Sequence, residues 1–204
     1  LGDKLAGDSF RTFTAADVRL LIDQHPFAWL CTAEGGSIEA AQLPLVGEYD
    51  EGGRLVALIG HVPRAWPLYQ RLAADPRATI LFSGVHAYVS PEHAGKRDWA
   101  PTWNYTQLRI RAEIQLDSAL TDHALDVLIG HMEADRPNPW TRKAIAHRYA
   151  PMAAAIMGFR ATVAHLDGYF KLGQDESAET FLAIMDGHPD PALVDWMHRF
   201  NPGR

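Results

Sequence analysis

Gln107-Leu108-Arg109-Ile110-Arg111-Ala112-Glu113-Ile114-Gln115-Leu116-Asp117 decides the fold class. Leu108, Ile110, Ala112, Ile114 and Leu116 alternate with polar or charged residues through all eleven positions. Successive side chains of a strand point to opposite faces. This period therefore predicts a long strand with one face on a core and the other on water, a cavity or a partner.

Upstream of it, other segments read as strands joined by short turns. Phe27 to Ala33, with the apolar run Phe27 to Cys31, predicts a buried strand, and Glu34-Gly35-Gly36 turns it into a second strand over Ser37 to Val46. Glu48 to Gly53 is a polar turn before the apolar strand Leu55 to Ile59, and Ala78 to Phe82 is a further buried strand. Thr14 marks the start of a helix carrying Val18, Leu21 and Ile22, which Pro26 stops near His25. A short helix runs through Leu68 and Leu72 to Asp75-Pro76. Gly84 to Pro101 has no period and reads as a long connection of the functional kind.

Downstream, Thr121 opens a helix with Leu125, Leu128, Ile129 and Met132 on one side. Asn138-Pro139 predicts the start of another, and Pro151 to Met157 a further short one. Phe159 to Leu166 returns to strand, and the tail predicts two amphipathic helices over Ser177 to Met185 and Pro191 to Phe200. Six or so strands without regular β-α alternation predict a mainly β fold, a small barrel decorated by inserted and C-terminal helices, rather than a doubly wound sheet.

The chain has 204 residues, 47% hydrophobic and 22% charged, the profile of a globular protein able to bury a core without disulfides or structural metal. Its 19 basic and 25 acidic residues give a net charge of −6, which does not favour nucleic acid or an anionic membrane. No apolar run approaches the ~20 residues of a membrane span, and the amino end shows no secretory leader. Cys31 is the single cysteine, a buried strand thiol on this reading and consistent with a reducing, cytoplasmic setting.

Phosphate-loop, dinucleotide, zinc-protease and serine-hydrolase signatures are absent. The ten histidines are scattered without ligand spacing, which predicts no metal site. Two stretches remain. Gly60 to Pro67 passes from a strand into a helix start, where exposed N–H groups, Arg64 and a donor on His61 suit an anion. Trp99, Trp103 and Tyr105 flank Asn104, a mixture that suits a flat conjugated ligand, although aromatics at strand spacing are most often core.

Four motifs then occur in order: Gly60-His61-x-x-Arg64-Ala65-x-Pro67, His86-Ala87-Tyr88-Val89-Ser90-Pro91, Pro101-Thr102-Trp103-Asn104-Tyr105 and Phe170-Lys171-Leu172-x-Gln174. Together they resemble the PaiB-type FMN-binding family, labelled negative transcriptional regulators, over roughly residues 8 to 187. The resemblance implies an FMN-binding split β-barrel over residues 1–170 with a helical tail over 171–204, and a homodimer with flavin at the subunit interface. It also implies cofactor-binding roles for His61, Arg64, Ser90, Trp103, Asn104, Tyr105, Lys171 and Gln174, with His61 and Arg64 facing the flavin phosphate. The chain departs from the family pattern at Trp66, at Glu92-His93 after Ser90-Pro91, and at Gly173-Asp175, where Asp175 is expected to cap the following helix.

The function expected is that of an FMN-dependent oxidoreductase acting on a small molecule. His86, His93 and Tyr105 are acid–base candidates by residue type. The alternatives are a non-enzymatic flavin-binding regulator, or a diverged barrel holding heme or another planar ligand with His93 as iron ligand.

Overall fold

The computed structural model describes residues 6–204. The reading of the amino end as leaderless begins on residues outside these. Among the described residues, seven strands form one sheet in the order β2-β1-β5-β6-β7-β4-β3. They are β1 (Phe27–Glu34), β2 (Ser37–Pro44), β3 (Val46–Tyr49), β4 (Leu55–Pro63), β5 (Arg77–Val89), β6 (Thr102–Leu116) and β7 (Ile156–Lys171). Six α-helices accompany them: α1 (Ala15–Gln24), α2 (Pro67–Ala74), α3 (Leu120–Glu133), α4 (Ala146–Ala154), α5 (Ala178–Gly187) and α6 (Pro191–Phe200). The chain divides into two compact units.

The first unit comprises Ala15–Phe82 and Arg109–Leu166. Its β1–β2 hairpin turns on Gly35 and Gly36, whose φ of 56° and 82° suit glycine. β1 is apolar from Phe27 to Cys31, yet only Ala28, Leu30 and Thr32 point inward. Phe27 and Trp29 are 58% and 45% exposed, and Cys31 is half-exposed on their side. The expectation of a fully buried strand and thiol is corrected accordingly. A continuous apolar run says nothing of which face a core covers.

β4 pairs antiparallel with β7, His61 opposite Gly158 and Pro63 opposite Ile156. α3 packs tightly there. A Cβ on Gly158 would lie 2.6 Å from the backbone of Leu120 and Thr121, and the Gly158 N–H donates to Thr121 Oγ1 at 3.0 Å. α1 buries Val18, Leu21 and Ile22, and α2 buries Leu68 and Leu72. Each such side chain contributes about 1.5–3 kcal/mol. Asn138-Pro139 starts no helix. The Trp140 N–H is held instead by Glu133 Oε2 at 2.9 Å, and helical structure resumes with a 3-10 turn at Arg142–Ile145 leading into α4.

The second unit comprises, among the described residues, 6–14, Ser83–Leu108 and Asp167–Arg204. Phe170 centres its core, with ring centroids 5.0 Å from both Phe13 and Phe200 and 6.0 Å from Trp196. The two tail helices form as expected. Ser177 caps α5 by accepting the Thr180 N–H, and Asp190 caps α6, with Pro191 at its first turn. Asp175 lies before the cap and does not take that role.

Strands run further than the sequence suggests. β5 continues to Val89, because the adjacent buried residues Gly84 and Val85 interrupt its alternation without ending the strand. Only about a dozen residues, 90–101, remain of the long connection.

Candidate functional site

In the first unit, His61 and Arg64 lie at the end of β4, before α2. The Arg64 N–H donates to Ala155 O at 3.0 Å and its Nε to Ile156 O at 3.0 Å. Nη1 reaches Tyr69 Oη only at 3.5 Å, and the guanidinium sits 5.8 Å over that ring. No carboxylate pairs with Arg64 among the described residues. α2 begins at Pro67 without a side-chain cap, its N-cap being Trp66, which is 40% exposed. His61 Nδ1 is buried with no partner, and burial holds the imidazole pKa below its ordinary value. The neutral imidazole is therefore favoured, and His61 adds no cation at this point.

In the second unit, alternation along β6 sends Trp103 and Tyr105 outward and Asn104 and Thr106 inward. Trp103 is 53% exposed, with His86 stacked at 6.4 Å and Tyr88 edge-on at 6.1 Å. Tyr105 stacks on Tyr169 at 5.7 Å with rings 17° apart, and Arg11 lies 5.7 Å over Tyr169. Burial and Tyr169 push the Tyr105 phenol above its ordinary pKa, so it remains a donor. Lys171 Nζ donates to Thr102 Oγ1. The outward surface thus carries a row of aromatic rings bordered by two cations.

The remaining sequence candidates have structural employment. Asn104 is 2% exposed and its amide meets Met197 Sδ at 3.4 Å. Ser90 Oγ accepts the Glu92 N–H, closing a local turn. Gln174 clamps the turn after β7, donating to Phe170 O at 2.6 Å and accepting the Leu172 N–H at 2.7 Å. His93 Nδ1 accepts the Ser90 N–H at 3.2 Å, and its ring stands edge-on to His188 at 4.7 Å. Among the described residues no three His, Cys, Asp or Glu side chains cluster as a metal site, and no helix is long and apolar enough to cross a membrane.

Residues 7–165 match the model of the family described as "Putative FMN-binding domain". The chain belongs to this FMN-binding family. No curated protein matches its sequence. Among solved structures, this FMN-binding domain is similar to the FAD and heme binding protein of Mycobacterium smegmatis, with TM-score 0.59 and 16% identity over 84% of this chain and 78% of that one. It is also similar to a flavocytochrome of Azotobacter vinelandii, with TM-score 0.56 and 14% identity over 88% and 75%. These likenesses establish the fold, mainly β with inserted and C-terminal helices, of the flavin-binding split-barrel class.

Sequence reading of the FMN-binding domain passes over Tyr169 and Arg11. Tyr169 lies beyond the expected end of its strand. Arg11 reaches the row only because Phe10 packs on Tyr169 at 5.5 Å, a contact between residues far apart in the chain.

Proposed function

We propose that this protein binds FMN and uses it in oxidoreductase chemistry on a small molecule, with the flavin phosphate held by Arg64. The observation that carries the reading is the end of β4. There an arginine without a carboxylate partner, a buried histidine with an unsatisfied nitrogen and a helix start without a side-chain cap occur within a few residues. That donor set suits a phosphate: α2 presents its positive end, Arg64 adds a charge-assisted hydrogen bond, and a neutral His61 can donate an N–H without adding charge. The flavin ring, when bound, supplies the electron transfer.

Titration with FMN and riboflavin tests this. A charge-assisted hydrogen bond contributes about 1.5–3 kcal/mol. Arg64→Ala should therefore weaken FMN roughly ten- to a hundredfold and leave riboflavin, which lacks the phosphate, unchanged. Equal effects on both ligands would remove the phosphate from Arg64.

A heme reading through His93 fits poorly. A ligating imidazole donates its other N–H to a neighbour, whereas His93 Nδ1 already accepts one, from Ser90. We further propose a homodimer. In the first unit, the outward face of β1 and its neighbours carries Phe27, Trp29, Ile38 and Leu81, all exposed, with Trp29 paired across to Leu81. Such a face suits a self-complementary contact. A monomer by sedimentation at micromolar concentration would refute it.

A further inference from the structure

We infer that residues 134–155 form a flap whose order is coupled to anion binding at Arg64; this rests on the phosphate reading above. Neither α4 nor the 3-10 turn before it buries a single side chain, and Trp140 and Met152 are 40% and 52% exposed. Segments with few buried apolar contacts open at low free energy.

The flap is held at two points. The first is a polar clip to α3. Arg142 pairs with Asp126 and, at 3.1 Å, with Asp122, and its Nη1 donates to Tyr149 Oη at 2.6 Å while that hydroxyl donates to Asp122. Beside the clip lies a groove of about 330 Å³ lined by Ile129, Glu133, Pro139 and Trp140.

The second point is Arg64 itself. Its N–H and Nε take the carbonyls of Ala155 and Ile156, where α4 gives way to β7. The residue expected to hold a phosphate is therefore also the hinge post of the flap. A phosphate on the remaining guanidinium donors fixes the side chain in the rotamer that keeps Nε on Ile156 O. An ordered flap, in turn, presets the guanidinium for the phosphate. Linkage makes the two effects equal in size.

Two measurements on the full chain test this. In wild type, saturating FMN should slow amide hydrogen exchange across 142–154, while saturating riboflavin should not. Arg142→Ala, which cuts the clip away from any ligand, should weaken FMN about fivefold, the low end of measured couplings, and leave riboflavin unchanged. If Arg142→Ala does not fold, the wild-type exchange comparison decides alone. Selective FMN binding with unchanged exchange across 142–154, or with unaltered FMN affinity in a folded Arg142→Ala protein, overturns the coupling. A wild type that binds FMN no better than riboflavin defeats the phosphate reading itself, and the inference with it.

Discussion

Strand β6 presents two different surfaces on one side. In the second unit its outward residues are Trp103 and Tyr105, rings in contact with other rings. In the first unit they are Arg109, Arg111 and Glu113, exposed and charged. The inward side does not change character in the same way. Leu108, Ile110, Ala112 and Ile114 are buried, and Asn104 and Thr106 are buried polar exceptions. Period two reports that a strand has two faces. Only the chemistry of the outward residues tells a surface built to contact something from one that rests in water.

The comparison can be broken, beginning with the inward side. Ile110 is fully buried, and Ile110→Ala should destabilise by about 2–5 kcal/mol; a denaturant midpoint that barely moves would mean that the first-unit half of β6 does not face a core. On the outward side, Trp103→Ala removes a ring. Stacking of a flat base on an aromatic side chain contributes about 1–3 kcal/mol. If the aromatic row receives the isoalloxazine, the loss should appear equally in FMN and riboflavin affinity, and flavin fluorescence titration would show it. Unaltered affinity for both would make the row a protein contact instead.

A smaller effect concerns Tyr105. Its pKa is raised in the folded state, so its stabilising contribution is complete below the ordinary tyrosine pKa and is lost as pH rises through the raised one. Tyr105→Phe should therefore flatten the alkaline fall of the unfolding midpoint above about pH 10. The same slope in both proteins would contradict the shift. Smallest of all, Arg111→Ala should change stability by no more than about 0.5 kcal/mol and flavin affinity not at all. A loss of binding in that variant would extend the functional surface into the charged half.

Much of this was legible before any coordinates. The alternation over 107–117 and the paired tail helices follow from local pattern, which is what short-range sterics and side-chain period encode, whereas the motif residues stood out only through the family resemblance. The end of β5 was hidden by two adjacent buried residues, Gly84 and Val85, which a period-two reading takes for a break. The helix expected at Asn138-Pro139 does not form, and the Trp140 N–H that Asn138 would have capped is held by the Glu133 carboxylate seven residues upstream. Of the eight motif residues, Ser90, Asn104 and Gln174 find their partners within the protein. A motif records which residues occur together and not which of them touch a ligand.

Gln174 carries a consequence for the ageing of the molecule. Its amide bridges one backbone acceptor and one backbone donor at once, Phe170 O and the Leu172 N–H. Hydrolysis of that amide to glutamate would preserve every heavy-atom position and replace one donor by an acceptor. Two oxygens would then confront each other where a short hydrogen bond now closes the chain. Shape is indifferent to the change and polarity is not. A slow chemical lesion of almost no volume at this site would open the turn that follows β7, where Lys171 is held.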